Sequence, residues 1–272
     1  MNKDKKLKIG LALGAGGARG LAHIGVLKVL EKEGLIPDYV AGSSMGSLIG
    51  AYYCLGFDLE ELEKEVKTFS RARAVSRLMD LNNPRKSLIK GKKVERYIDN
   101  LLKGSTFKDL ERPFRVVATD LGSGEEVILE KGSLTKSLMA SISVPGIFPP
   151  VRRYNKNLVD GGVANFTPVD VVADMGADFI IGVDLIIRRR HQPRSPGMFS
   201  SLIQSYEIIR KKGSKVKVKD GTKDTVLIKP EIKGAIDSFR FSDINRFIME
   251  GERAAKRNLP VMRRKLRELE GR

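Results

Sequence analysis

Histidine is nearly absent from this chain: 272 residues contain His23 and His191 only, beside a single cysteine, Cys54, and no tryptophan. Two distant histidines and one cysteine form no metal-spaced cluster, so no zinc centre, and no cofactor of any kind, is expected. One cysteine also excludes a disulfide framework. Cys54 follows Tyr52 and Tyr53 in a helical run and reads as core packing. Long apolar runs are missing as well, since nothing approaches the ~20 residues of a membrane span. The basic stretch 1–8 runs straight into Ile9-Gly10-Leu11-Ala12-Leu13, too short for the apolar region of a signal peptide, so a cytoplasmic protein is expected.

What the chain has in excess is positive charge. Lys and Arg total 50 against 33 Asp and Glu, a formal +17. The excess is uneven: residues 71–96 carry nine basic residues against Asp80 and Glu95, and residues 188–219 carry ten against Glu207. Such blocks attract polyanions, either nucleic acid or an anionic lipid surface, or serve as a solvated face. No binding motif and no aromatic interleaving accompany them, so specific nucleic-acid recognition is not expected. The apolar residues Phe199, Leu202, Ile203, Tyr206 and Ile209 recur at helical spacing beside Arg210–Lys219. That combination suits peripheral contact with an anionic membrane, at its inner face, or packing against the core.

In chain order, an apolar strand at 7–13 leads into Gly14-Ala15-Gly16-Gly17-Ala18-Arg19-Gly20 and then a helix to about Gly34. The dinucleotide fingerprint fails here: starting from Gly14 and Gly16 it requires glycine where Arg19 stands, and no acid ends the second strand. Four glycines in seven residues instead suit a loop that turns successive backbone N–H groups toward an anion, with Arg19 steadying it or adding charge.

The second strand, 38–42, ends in Gly42-Ser43-Ser44-Met45-Gly46 and a small-residue helix to about Leu55, the sequence form of a nucleophile elbow. Asp58, with Glu61 as reciprocal partner, is expected to cap the next helix. Residues 70–90 read as a surface segment or lid, followed by a helix at 92–102. Strand 114–121 and its hairpin partner 126–129 make the sheet mixed. A helix 134–142 ends in Ser143-Val144-Pro145-Gly146-Ile147-Phe148-Pro149-Pro150, a rigid apolar segment fit to line a groove. Residues 151–159, turning at 155–157, reach Asp160-Gly161-Gly162, an acid at a strand end followed by two glycines. A helix 168–175, a strand 179–185, a strand 225–229 and a long basic helix from about Asp243 complete the chain. The βα rhythm indicates an α/β fold, and no composition break divides 1–272 into more than one domain.

A serine hydroxyl needs a base. The order Ser44, Asp160 or Asp184, His191 matches the α/β-hydrolases, but His191 lies in a polar Arg- and Pro-containing loop without rigid support. His23, one turn into its helix, suits packing or hydrogen bonding. A carboxylate base remains, and Asp160 is the conspicuous one.

The loop 14–20, Gly42-x-Ser44-x-Gly46, the Pro-rich block 143–150 and Asp160-Gly161-Gly162, in that order, resemble the patatin-like phospholipase family over roughly Lys8 to Leu185. The carboxy-terminal part, 198–272, resembles helices of small bacterial members related to the neuropathy target esterase catalytic domain, packed on the core. The resemblance implies a three-layer α/β/α fold with a mixed, mostly parallel sheet. It implies a Ser44–Asp160 dyad without histidine, acting on phospholipid or lysophospholipid esters. Gly16, Gly17 and Ala18, with Arg19 beside them, would form the oxyanion hole; Gly14, Gly20, Gly42, Gly46, Gly161 and Gly162 are the motif glycines. Ala15 departs from the glycine of many members, which matters only if a positive φ is needed there. No metal is implied. A regulatory or adaptor protein that keeps this fold and works by binding is the alternative.

Overall fold

The computed structural model describes residues 7–68, 78, 80–83, 87–185, 208, 224–232 and 243–271. Among the described residues, eight strands form one sheet: β1 (Ile9–Leu13), β2 (Tyr39–Ser43), β3 (Phe114–Asp120), β4 (Glu126–Leu129), β5 (Val151–Arg153), β6 (Lys156–Asp160), β7 (Phe179–Val183) and β8 (Asp224–Ile228). β3, β2, β1, β7 and β8 are parallel neighbours in that order. β4, β5 and β6 pair antiparallel, β4 and β6 with β3 and β5 with β6, so the sheet is mixed and mostly parallel.

Period-2 alternation assigns each strand residue to a face. Leu11, Leu13, Val40, Val116, Ile181 and Val183 join the larger core cluster, while Ala12, Ala41, Val117 and Ile180 join a smaller one. The larger face receives α1 (Ala22–Lys32), α2 (Met45–Cys54), α3 (Leu59–Thr68), α4 (Lys92–Leu101), α5 (Leu134–Ile142) and α7 (Ile244–Glu270). The smaller receives α6 (Val169–Asp174) through Val169, Val171 and Val172. Helices on both faces give the three-layer α/β/α arrangement. α7 crosses α1 with backbones in contact: a Cβ on Gly25 would stand 2.0 Å from the Ile248 carbonyl oxygen, and one on Gly251 2.0 Å from that of Ala22.

The edges of β3 decide where the site lies. β4 runs along residues 116–119 of β3, so β2 and β6 share the opposite edge. β2 occupies it as far as Val117, which pairs with Ser43, and β6 takes over at Ala118, which pairs with Asp160. Two strands therefore arrive end to end on one edge, from opposite directions. Ser44 and Asp160 stand at that seam.

Several sequence expectations change in detail. The β5–β6 turn is the pair Tyr154-Asn155, with φ of 51° and 58°, not 155–157. Positive φ at both central residues matches the hairpin twist, and here tyrosine accepts it. Asp58 caps α3 through the Glu60 N–H (2.7 Å) rather than through a reciprocal box with Glu61. Pro168 precedes α6 as its cap instead of occupying the first helical position. Within the expected lid, Leu81 bridges to Ile89, Ile89 N–H bonds the Ile147 carbonyl (3.0 Å), and Ser87 and Ile89 are buried. That part is fastened to the Pro-rich segment. The expected apolar face 199–209, apart from Ile208, and His191 lie outside the described residues, as does most of 188–219. Cys54 is buried in the core, where desolvation pushes its thiol pKa up. Among the described residues, no helix is long and apolar enough to cross a membrane.

Candidate active site

Ser44 leaves β2 with φ 53° and ψ −125°, a backbone that L side chains rarely adopt. The flanking glycines make the corner sterically feasible. A Cβ on Gly46 would stand 2.2 Å from the Leu13 carbonyl oxygen, and one on Gly42 2.5 Å from the Ser47 Cα. A serine before a helix ordinarily caps it. Ser44 makes no side-chain cap to α2. Its Oγ instead donates to Asp160 Oδ2 at 2.6 Å, while Ser47 Oγ donates to the Ser44 carbonyl at 2.6 Å. The Ser44 N–H bonds Ser141 Oγ (2.9 Å), which in turn donates to the Val117 carbonyl (2.6 Å). Ser44 is 7% exposed and Asp160 1%.

Asp160 divides its carboxylate. Oδ2 receives the Ser44 hydroxyl, and Oδ1 accepts the Gly162 N–H at 2.7 Å, capping a single 3-10 turn at Gly161–Val163. Its own backbone is fixed on both sides. The N–H bonds the Ser143 carbonyl (2.9 Å), and the carbonyl accepts from Thr119 Oγ1 (2.8 Å). Gly161 must pass over the seam: a Cβ there would meet the Val117 carbonyl oxygen at 2.2 Å and Ser43 Oγ at 2.8 Å.

The loop 14–20 lies against the elbow. A Cβ on Gly20 would meet Met45 Cγ at 2.3 Å, so the 3-10 helix Gly17–Leu21 abuts the first residue of α2. Gly14 and Ala15 spend their N–H groups on the Val183 (3.1 Å) and Phe166 (2.8 Å) carbonyls. Gly16, Gly17 and Ala18 come next, ahead of the first bond within that helix, so the helix does not consume their N–H groups. The positive φ falls at Gly17 (56°) and not at Ala15, so the alanine departure costs nothing in backbone strain. Gly16 approaches Leu185, whose Cδ1 would be 2.7 Å from a Cβ. Arg19 is buried and its Nε donates to the Gly16 carbonyl at 3.1 Å, bracing the loop from within.

His23 is no base for Ser44. It is buried, its ring Nε2 lies 2.7 Å from the Gly14 carbonyl, and desolvation pushes its pKa down to about 4, an effect that this hydrogen bond opposes. The neutral ring must carry its proton on Nε2 to satisfy that carbonyl. The histidine therefore secures the loop. Sequence reasoning missed Ser141, Thr119 and the Ser143 carbonyl; serines and threonines at the ends of apolar helices and strands carry no motif that marks them.

Residues 11–173 match the patatin-like phospholipase family over more than half of the chain. The chain belongs to that family. Relatives within it include an uncharacterized NTE family protein of Mycobacterium tuberculosis, 34% identical over 178 residues, which are 65% of this chain and 49% of that protein. Neuropathy target esterase sws of Drosophila melanogaster is 34% identical over 181 residues, again 65% of this chain but 13% of that one. The same identity and coverages hold for patatin-like phospholipase domain-containing protein 6 of Mus musculus. The chain thus matches about half the length of the mycobacterial relative and a small part of the animal ones. The crystal structure of VipD from Legionella pneumophila shares the fold, with a TM-score of 0.52 over 94% of this chain and 67% of that chain at 13% identity.

Proposed function

We propose that this chain is a serine acyl hydrolase of the phospholipase A or lysophospholipase type, working with a Ser44–Asp160 dyad. The observation that carries the reading is the 2.6 Å hydrogen bond from Ser44 Oγ to Asp160 Oδ2, between side chains that the sheet brings to one seam. In the proposed reaction Oγ attacks the ester carbonyl as its proton passes to Oδ2. The tetrahedral oxyanion collapses, the C–O bond to the alcohol breaks, and Asp160 returns the proton to the departing alkoxide. Water, deprotonated by the same carboxylate, then cleaves the acyl-serine.

A carboxylate is a weaker base than imidazole, so electrostatic stabilisation has more of the barrier to lower. One oxyanion donor is worth about 2.7–4 kcal/mol. The N–H groups of Gly16, Gly17 and Ala18, left over by the loop's own hydrogen bonding and close to the start of α2, are assigned that role. Arg19 supports them by holding the Gly16 carbonyl. Family membership supports a lipid ester as substrate, and the names of the two animal relatives, an esterase and a phospholipase domain protein, agree with it. Residues 1–272 are taken as one unit, since α7 returns to pack on α1 beside the site loop. A cytoplasmic enzyme in peripheral contact with an anionic membrane is the corresponding setting. The adaptor alternative leaves the serine–carboxylate contact without a use.

The test is hydrolysis of a panel of phospholipids, lysophospholipids and short-chain esters by the purified chain. Ser44→Ala and Asp160→Asn, both folded, are each expected to lose on the order of 10³-fold or more. His191→Ala is expected to stay within about twofold, the size expected of a residue outside the machinery. Substantial activity in either dyad variant rejects the dyad.

A further inference from the structure

The β2–β3 ladder has a rung that is filled by a side chain. Val40 N–H bonds the Pro113 carbonyl at 3.1 Å, and Val40 pairs with Phe114. A parallel ladder repeats this bond every second residue, so the next rungs run from Gly42 to Arg115 and from Ser44 to Val117. The last of these is not made directly. Ser141 Oγ stands between its two ends, accepting the Ser44 N–H at 2.9 Å and donating to the Val117 carbonyl at 2.6 Å.

We propose that Ser141 is a positioning residue for the nucleophile: its hydroxyl is an inserted rung that releases Ser44 from the pleat while keeping its N–H bonded. A direct bond would hold Ser44 extended, with its side chain committed to one face of the sheet. Insertion of one oxygen separates donor from acceptor and leaves room for the chain to turn to φ 53°. The same helix end also fixes the partner, since the Ser143 carbonyl accepts the Asp160 N–H at 2.9 Å. Ser141 is fully buried, so no water replaces its hydroxyl at low cost. Without it, Ser44 N–H and Val117 C=O are both stranded, and the elbow can satisfy them only by relaxing toward the sheet, away from Asp160. A buried donor left without an acceptor shifts such an equilibrium by a factor of roughly 5 to 150.

The proposal rests on the dyad reading. Its test compares Ser141→Ala, Ser141→Cys and Ser141→Thr with the parent chain on a soluble short-chain ester, with the rate of fluorophosphonate labelling of Ser44 as a second readout. Turnover is expressed per labelled site, so loss of folded protein does not count. Ser141→Ala is expected to lower kcat and the labelling rate together, by about 10- to 100-fold, with KM within about twofold because no substrate contact is removed. Ser141→Thr, which keeps the hydroxyl, is expected to recover most of the loss; Ser141→Cys, nearly isosteric with a weak acceptor, is expected to lie between. Unchanged turnover per labelled site in the alanine and cysteine variants overturns the inserted rung and leaves the dyad standing. Hydrolysis that survives Ser44→Ala overturns the dyad itself.

Discussion

The elbow at Ser44 and the turn at Asp160 end two strands on the same edge of β3, yet they are built in opposite ways. Ser44 holds φ 53° and ψ −125°, gives its own helix no side-chain cap, and borrows a hydroxyl from α5 for its N–H. Asp160 sits at φ −47° and ψ 130°, caps its own 3-10 turn, and has its N–H on the Ser143 carbonyl and its carbonyl on the Thr119 hydroxyl. Strain is concentrated on Ser44, which in the proposed dyad must hold its oxygen clear of the sheet to attack. Asp160, as the proposed base, needs only to be aimed, and a relaxed backbone with one carboxylate oxygen anchored on Gly162 does that. Backbone strain of this kind costs of order 1–3 kcal/mol and persists only where surrounding contacts over-determine it.

The largest effect is expected where both turns fail alike. Gly46→Ala drives a methyl toward the Leu13 carbonyl oxygen, and Gly161→Ala drives one toward that of Val117, each 2.2 Å away. Neither obstacle is a flexible side chain. Overpacking costs about 1–3 kcal/mol when side chains yield and more when backbone must move, so each variant is expected to lose at least ~3 kcal/mol. Urea unfolding midpoints measure it. If Gly161→Ala is tolerated and Gly46→Ala is not, the seam at Asp160 is softer than the elbow.

How much of this was readable in the sequence follows from the same asymmetry. The glycines around Ser44 and after Asp160 announce themselves, because backbone passing close to backbone admits no other residue. The pairing of the two rests on elimination and resemblance alone, since they lie 116 positions apart and no local spacing encodes contact. The shared edge of β3 was invisible for that reason. Ser141 is hidden differently: in Leu134–Ile142 it reads as a small residue on a helix, and its use depends on a missing ladder bond between the end of β2 and β3. Aromatic residues seldom take φ of 51°, so nothing in the sequence marks Tyr154 as a turn residue, whereas the asparagines beside it do suggest a turn. The place of His23, one turn into its helix, points to packing or hydrogen bonding, and the bond to the Gly14 carbonyl is of that kind.

A somewhat smaller effect separates the loop from both turns by pH. His23 has a folded pKa of about 4 against 6.5 for the ordinary imidazole, the cause being burial. The unfolded chain therefore binds a proton on this residue that the native chain refuses. Stability from this residue is complete above about pH 6.5 and is lost as pH falls through 4, some 3 kcal/mol in all. Chemical unfolding at pH 7.5 and 4.5, in the parent chain and in His23→Gln, measures it. The parent is expected to lose more stability over that interval by about 2–3 kcal/mol. Equal losses would mean that His23 is reachable by water and that the loop is held otherwise.

The smallest effect bears most directly on the contrast, because it predicts opposite signs. Ser44→Gly removes the side chain that makes φ 53° costly, and glycine accepts that conformation freely. It is expected to abolish hydrolysis and yet raise stability by up to about 1 kcal/mol, the strain relieved less the freedom that glycine gains in the unfolded chain and the hydrogen bond that Asp160 Oδ2 loses. Asp160→Ala relieves no strain, strands the Gly162 N–H and removes a cap, and is expected to lower stability by about 1–2 kcal/mol. Thermal unfolding of the two inactive variants beside the parent settles the sign. Should Ser44→Gly prove destabilising, the strain at the elbow is already discharged by its neighbours, and the difference between Ser44 and Asp160 lies in their hydrogen bonds alone.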